Sequence, residues 1–241
     1  MELDEYQRMA DAENAHWWYG ATRALLTDLL GPHVGKGGRL LDAGGGTGAT
    51  GAWLADHGEL VAVDTEPQAV AIYAENHRAV SAGAAADVAA LPLASEAFDA
   101  VLCVTVLCHR LVTSPAAAVG ELVRVTRRGG VVCLLEPGRA GRFRAHDRVT
   151  HTARRFSRAE LSALLVDAGC DVVRSTGAYS FLVPLAAAKS VIERGRTASD
   201  LDRGRGGLGG LLPAVAAAER ALLRRASLPF GLSVVAVGRR R

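Results

Sequence analysis

The stretch LLDAGGGTGATG, at positions 40–51, constrains this chain more than any other. An apolar run closes on an aspartate and passes straight into a glycine-rich turn, the opening of a strand–turn–helix unit in an α/β fold. Its second half, GTGATG, is a literal match to the dinucleotide fingerprint G-x-G-x-x-G. Glycines let the backbone turn sharply and approach a ligand closely, and a helix N-terminus offers free N–H groups to negative charge. By itself the pattern leaves open a pyrophosphate ligand, another adenosine ligand and a purely structural turn.

Short β-branched or Leu-rich runs alternate with longer helical stretches downstream, the pattern of a parallel sheet covered on both faces. Strands are predicted at 39–43, 60–64, 82–86, 100–105 and 130–135, and helices at 48–57, 67–80 and 115–125. Ser114 is the N-cap of the last helix, and Gly129-Gly130 ends it. An Arg- and Gly-rich connection, 138–155, precedes Ser157-Arg-Ala-Glu160, a capping box that opens a helix ending near Gly169. A sixth strand is expected at 171–175 and a last one at 232–238. Between them, 177–230 reads as helical segments flanking a Gly/Arg-rich mobile loop at 204–210. The expectation is one α/β domain over 1–241: an N-terminal helical cap (1–35), a cofactor-binding core (36–176), a helical cap or dimer insertion (177–230), and a last strand with its tail (231–241).

Composition narrows the class. The chain is 49% hydrophobic, 22% charged and 5% aromatic, a globular profile. The apolar run 180–192 is broken by Pro184 and Lys189, short of the roughly 18 residues a membrane helix needs. The acidic start MELDEYQ lacks the basic and apolar regions of a signal peptide, which predicts a cytoplasmic chain. Cys103, Cys108, Cys133 and Cys170 sit in or beside apolar runs without metal or disulfide spacing and read as reduced core residues. Residues 1–120 carry 6 Lys+Arg against 15 Asp+Glu, and residues 121–241 carry 22 against 10, so the halves are expected to face different partners. Arg139, Arg142, Arg144, Arg148, Arg154 and Arg155 crowd one stretch, which suits an anionic small substrate or nucleic acid.

Aspartates around the glycines bear on the ligand. Asp42 would point a carboxylate at a pyrophosphate, so it favours a ligand with a cationic group. Asp64, closing the second strand, stands where an acid can accept ribose hydroxyls. Asp87, before Leu91-Pro92, suits either an adenine amino group or a loop cap.

With these residues assembled, the chain resembles the class I S-adenosylmethionine-dependent methyltransferases. LDAGGGTG (41–48), VAVD (61–64), AADVAALPLASEAFDAV (85–101) and ELVRVTRRGGVVCLLEP (121–137) follow that family's order and spacing, with Gly45 where the family usually has cysteine or another small residue. HWWYGATR (16–23) and HDRVTHTARRF (146–156) are similar to a bacterial small-molecule subgroup with a Trp-rich N-terminal helix and a His-Asp…His…Arg-Arg loop. The resemblance implies a Rossmann-like sheet of seven strands in three layers, with S-adenosylmethionine as cofactor and S-adenosylhomocysteine as product. It implies that Gly44, Gly46 and Gly48 pass under the methionine and ribose, with Asp42 facing the amino group, Asp64 and Thr65 at the ribose, and Asp87 with Val88 framing the adenine. Thr105 would meet the methionine part, and Tyr19 or Arg23 would close over its carboxylate, Arg23 having a surface role as its alternative.

Methyl transfer to a hydroxyl or ammonium needs a proton acceptor, and His146, His151 and His109 lie where the cleft is expected. His146, Asp147, His151, Arg154 and Arg155 suit a base, its orienting carboxylate and an anion clamp, or equally a network that pins the loop. His109 shapes the substrate floor or catalyses. Trp17, Trp18 and Tyr19 are either core packing or a lid, with Trp18 and Phe181 candidates for acceptor contact. No metal is expected, because the histidines match no common ligand spacing. The reading is a methyltransferase acting on oxygen or nitrogen of a small anionic acceptor, with a homodimer as an option. Its rivals are a protein of this fold that keeps the cofactor without methyl transfer, a nicotinamide oxidoreductase, and a nucleic-acid enzyme, the last disfavoured because Thr105-Val-Leu-Cys-His109 stands in place of an Asn/Asp-Pro-Pro-Tyr motif.

Overall fold

The computed structural model describes residues 10–11, 16–139, 151–184 and 211–241. His146, Asp147, Arg142, Arg144, Arg148 and the 204–210 loop lie outside the described residues. Seven strands form one sheet: β1 (Gly38–Ala43), β2 (Gly58–Asp64), β3 (Val80–Ala85), β4 (Phe98–Val104), β5 (Thr126–Pro137), β6 (Cys170–Ala178) and β7 (Ser233–Arg240). Their order is β3-β2-β1-β4-β5-β7-β6, with β7 antiparallel to both its neighbours and the other contacts parallel. The helices are α1 (Trp17–Leu30), α2 (Pro67–Asn76), α3 (Pro115–Val125), α4 (Arg158–Asp167) and α5 (Leu211–Leu223).

Strand side chains alternate between two apolar layers, as a period of two requires. Leu41, Val101, Val132 and Leu134 meet Val119 and Leu122 of α3 and Leu161 and Leu165 of α4 on one face. Leu40, Leu102, Val131 and Cys133 meet Leu26 and Leu30 of α1 and Ala216 and Leu223 of α5 on the other. Burial on both faces explains why the central strands read as unbroken apolar runs. All four cysteines are free and buried.

Local chemistry sets the helix ends. Ser114 accepts the N–H of Ala117 at 3.2 Å to start α3. At α4 both arms of the capping box are made: Ser157 Oγ accepts from Glu160 N–H, and Glu160 Oε2 accepts from Ser157 N–H.

Some boundaries differ from expectation. The stretch 48–57 is not an α-helix but a series of turns leading into a 3-10 helix, Ala52–Asp56. Gly48 has φ +95°, outside the helical region, and i→i−3 bonds join Gly51 to Gly48, Leu54 to Gly51 and His57 to Leu54. Helix α2 stops at Asn76, short of the expected 80, and β3 starts at Val80 rather than 82. Strand β5 follows α3 directly at Thr126, so Gly129 (φ +74°) lies inside the strand, beside a register shift, instead of ending the helix.

Candidate active site

The order of the parallel strands reverses between β1 and β4, which places a crevice outside their carboxyl ends. Because β6 runs antiparallel to β7, and β7 antiparallel to β5, β6 also ends on this edge. Asp42, Asp64, Glu136, Thr105 and Tyr179 therefore gather there from separate parts of the chain.

The glycine loop lies on a buried polar support. Asp42 is 1% exposed, and its Oδ2 accepts the Tyr73 hydroxyl of α2 at 2.8 Å. Burial pushes its carboxyl up to about 7; the Tyr73 hydrogen bond opposes that, and the nearby Asp64 carboxylate adds to it. The loop folds over this carboxylate so tightly that a Cβ on Gly51 would sit 1.9 Å from Asp42 Oδ2. At Gly48, with φ +95°, a Cβ would lie 2.4 Å from the His77 ring. Asp64, also buried, braces the loop from β2: Oδ2 accepts the N–H of Gly46 at 2.9 Å and Oδ1 that of Glu66 at 3.0 Å. Thr65 beside it is exposed.

Other cofactor candidates are spread around the crevice. Asp87 is exposed, with Oδ1 accepting Ala89 N–H at 2.8 Å in a short turn, while the Val88 side chain is buried in the core. Thr105, just after β4, has φ +56°, a left-handed conformation that a β-branched residue adopts only under constraint. Arg23 donates to the Ala49 carbonyl at 2.8 Å, tying α1 to the glycine loop. Thr22 Oγ1 and Tyr179 Oη are 2.7 Å apart and Trp17 meets the Tyr179 ring edge-on, so the start of α1 is fastened to the end of β6. Tyr19 is buried against Trp18, which is itself half-buried.

The expected acceptor-side residues do not form one cluster. His109 and His151 meet edge-to-face with ring centroids 5.8 Å apart. Arg154 donates to the carbonyls of Leu107 and Val112, at 3.3 and 2.6 Å, and Arg155 to that of Gly138 at 3.2 Å. Both arginines line a groove of about 480 Å³ between the start of α3 and α4, with Arg139 and Glu160 as an ion pair on its wall. Phe181 stands apart, 54% exposed beside α5, its N–H donating to Glu219 at 3.0 Å. No group of three His, Cys, Asp or Glu among the described residues is placed to hold a metal ion.

The residue patterns assign no role to Glu136. It is fully buried at the end of β5, where Oε1 accepts the N–H groups of Val106 and Leu107 and Oε2 that of Cys108. Burial pushes its carboxyl up to about 7 against those hydrogen bonds. Its signal was an acid closing the apolar run VVCLLEP.

Residues 41–134 match the family model described as a methyltransferase domain. A malonyl-[acyl-carrier protein] O-methyltransferase of Enterobacter lignolyticus is 33% identical over 174 residues, 69% of this chain and 67% of that protein. The chain belongs to the class I S-adenosylmethionine-dependent methyltransferases. A demethylmenaquinone methyltransferase of Beutenbergia cavernae is 37% identical over 115 residues, 47% of this methyltransferase and 46% of that one. This chain thus spans about two thirds of one curated relative and under half of the other. In fold it is similar to a methyltransferase of Thermotoga maritima, described as a possible histamine N-methyltransferase, with a TM-score of 0.62 at 21% identity and 99% and 96% coverage of the two chains. No helix among the described residues is long and apolar enough to cross a membrane.

Proposed function

We propose that this methyltransferase binds S-adenosylmethionine along the carboxyl ends of β1, β2 and β4 and moves its methyl to an oxygen or nitrogen of a small anionic molecule. The observation that carries the reading is the braced glycine loop at the point where strand order reverses, with a carboxylate at the end of β2 against it. The residues suit the group: Asp64 offers acceptors for a ribose diol, Gly44, Gly46 and Gly48 keep the loop free of side chains, and Asp87 and Val88 flank the adenine. Tyr19, Arg23, Thr105 and, through the loop it supports, Asp42 serve the amino-acid end. When bound, S-adenosylmethionine supplies an electrophilic methyl on a sulfonium. The protein's part is to align the acceptor and exclude water. Trp18, Phe181, Arg154 and Arg155 are the acceptor-side candidates, and the histidines after β4 and β5 (His109, His146 and His151) are the groups available to orient the acceptor or take its proton.

The curated relatives are named for malonyl-[acyl-carrier protein] and demethylmenaquinone, which supports a metabolite over a nucleic acid as acceptor. Titration calorimetry with S-adenosylhomocysteine, with NAD as control, tests the cofactor. Micromolar binding of the former alone is expected. Binding of NAD in its place would refute the reading.

A further inference from the structure

The turn after β4 is held from three sides. Glu136 takes the N–H groups of Val106, Leu107 and Cys108. The Cys108 carbonyl accepts from Ala153 at 2.8 Å and Arg154 at 3.3 Å, and the His151 carbonyl accepts from Arg110 at 3.0 Å. The Arg154 guanidinium clamps the carbonyls of Leu107 and Val112. His109 is paired with Thr152 within this frame by an antiparallel bridge.

The frame fixes the chemistry of the His109 ring. Its Nδ1 accepts the N–H of Leu111 at 3.3 Å. An imidazole nitrogen that accepts carries no hydrogen, so the proton of the neutral ring sits on Nε2. It is chiefly burial that pushes the ring down to about 4, so it is neutral near pH 7. Nε2 is itself buried and meets no hydrogen-bond partner among the described residues. A buried N–H without an acceptor leaves its desolvation cost uncompensated, and such groups persist where a ligand completes them.

We infer that His109 is a hydrogen-bond donor to the methyl acceptor, its Nε2–H engaging a carboxylate or carbonyl oxygen of that molecule. The inference rests on the methyl-transfer reading and assigns His109 to acceptor specificity instead of proton removal. To act as a base, Nε2 would have to give up its proton to Nδ1, where the Leu111 N–H already points. An ammonium at the same place would set donor against donor, so the site selects against it.

The test uses the full chain labelled with ¹⁵N-histidine and saturated with S-adenosylhomocysteine, with benzoate, malonate and benzylamine as probes. Ring ¹H–¹⁵N correlations at pH 7 should show His109 as the Nε2–H tautomer. Benzoate or malonate should move that proton downfield, and benzylamine should not. His109→Asn, which can still take the Leu111 N–H but falls short of the ligand, should weaken the responding carboxylate about tenfold, and His109→Gln, which restores a donor near Nε2, should recover most of it. An Nδ1–H tautomer, an imidazolium at pH 7, or a proton that neither carboxylate moves overturns the inference. Calorimetry with S-adenosylhomocysteine separates the two failures: a cofactor that does not bind sinks the methyl-transfer reading, while the tautomer is still read from the protein alone.

Discussion

Two buried carboxylates, Asp42 and Glu136, flank β4 on the strands either side of it, and each organises a loop that the crevice depends on. Removing Glu136 as Glu136→Ala leaves three inward-facing N–H groups without acceptors, an expected loss of about 2–4 kcal/mol in urea unfolding. Glu136→Gln keeps the oxygen used by Val106 and Leu107 but turns an amide donor on Cys108, so about half that loss is expected. Equal losses in the two variants would mean the carboxylate matters as a charge rather than as an acceptor. At Asp64 the expected outcome of Asp64→Ala is S-adenosylhomocysteine affinity lower by about 10- to 100-fold with circular dichroism unchanged. Unaltered affinity in calorimetry would remove Asp64 from the site. Asp64 was readable from VAVD because a strand end fixes where an acid stands. The Tyr73 bond to Asp42 was not, because it depends on how α2 rolls against a strand distant in sequence.

Among the elements, those with strong local chemistry were legible: the central strands through their apolar runs, and α3 and α4 through Ser114 and the Ser157–Glu160 box. The misread stretch, 48–57, is the one whose conformation is imposed from outside. Gly48 and Gly51 give it little helical preference, and Asp42 and Tyr73 below it dictate the path. That contrast predicts opposite outcomes for one substitution. Gly20 in α1 and Gly120 in α3 have open space where a Cβ would go, so Gly20→Ala and Gly120→Ala should each stabilise by about 0.5–1 kcal/mol. Gly51→Ala drives a methyl into Asp42 and should destabilise by about 1–3 kcal/mol. Thermal midpoints of the three variants measure this directly, and a neutral Gly51→Ala would mean that the loop has a second path over the carboxylate.

At the scale of the whole molecule, the charge asymmetry between the halves of the sequence is partly internal. Asp28 pairs with Arg220 and Arg224, Glu96 with Arg128 and Arg240, and Asp99 with Arg127, each joining the acidic half to the basic one. Sequence counts suggested separate partners for the halves because they are blind to which charges the fold brings together. These pairs lie at the surface, from half-buried at Asp28 and Arg220 to exposed at Arg128 and Glu96, and contribute little each, so pH dependence should follow the fully buried groups instead. Asp42 and Glu136 have folded-state pKa values raised to about 7, chiefly by burial, so the folded protein binds more protons than the unfolded chain between about pH 4 and 7. Their contribution is therefore fully present below their unfolded values and is lost as pH rises through about 7. Glu160 acts in reverse: the Arg139 pair lowers it to about 2, so its contribution holds above its ordinary carboxylate value and is lost as pH falls through 2. Together these place maximum stability well on the acid side of neutrality, near pH 4, with a decline on the order of a few kcal/mol that is largely complete by pH 7. Asp42→Asn, which keeps an oxygen for the Tyr73 hydroxyl but cannot ionise, should flatten part of that decline in melts taken from pH 4 to pH 7. An unchanged slope in this variant would show that Asp42 ionises in the folded protein as readily as in the unfolded chain, and the buried support of the glycine loop would then have to be wet.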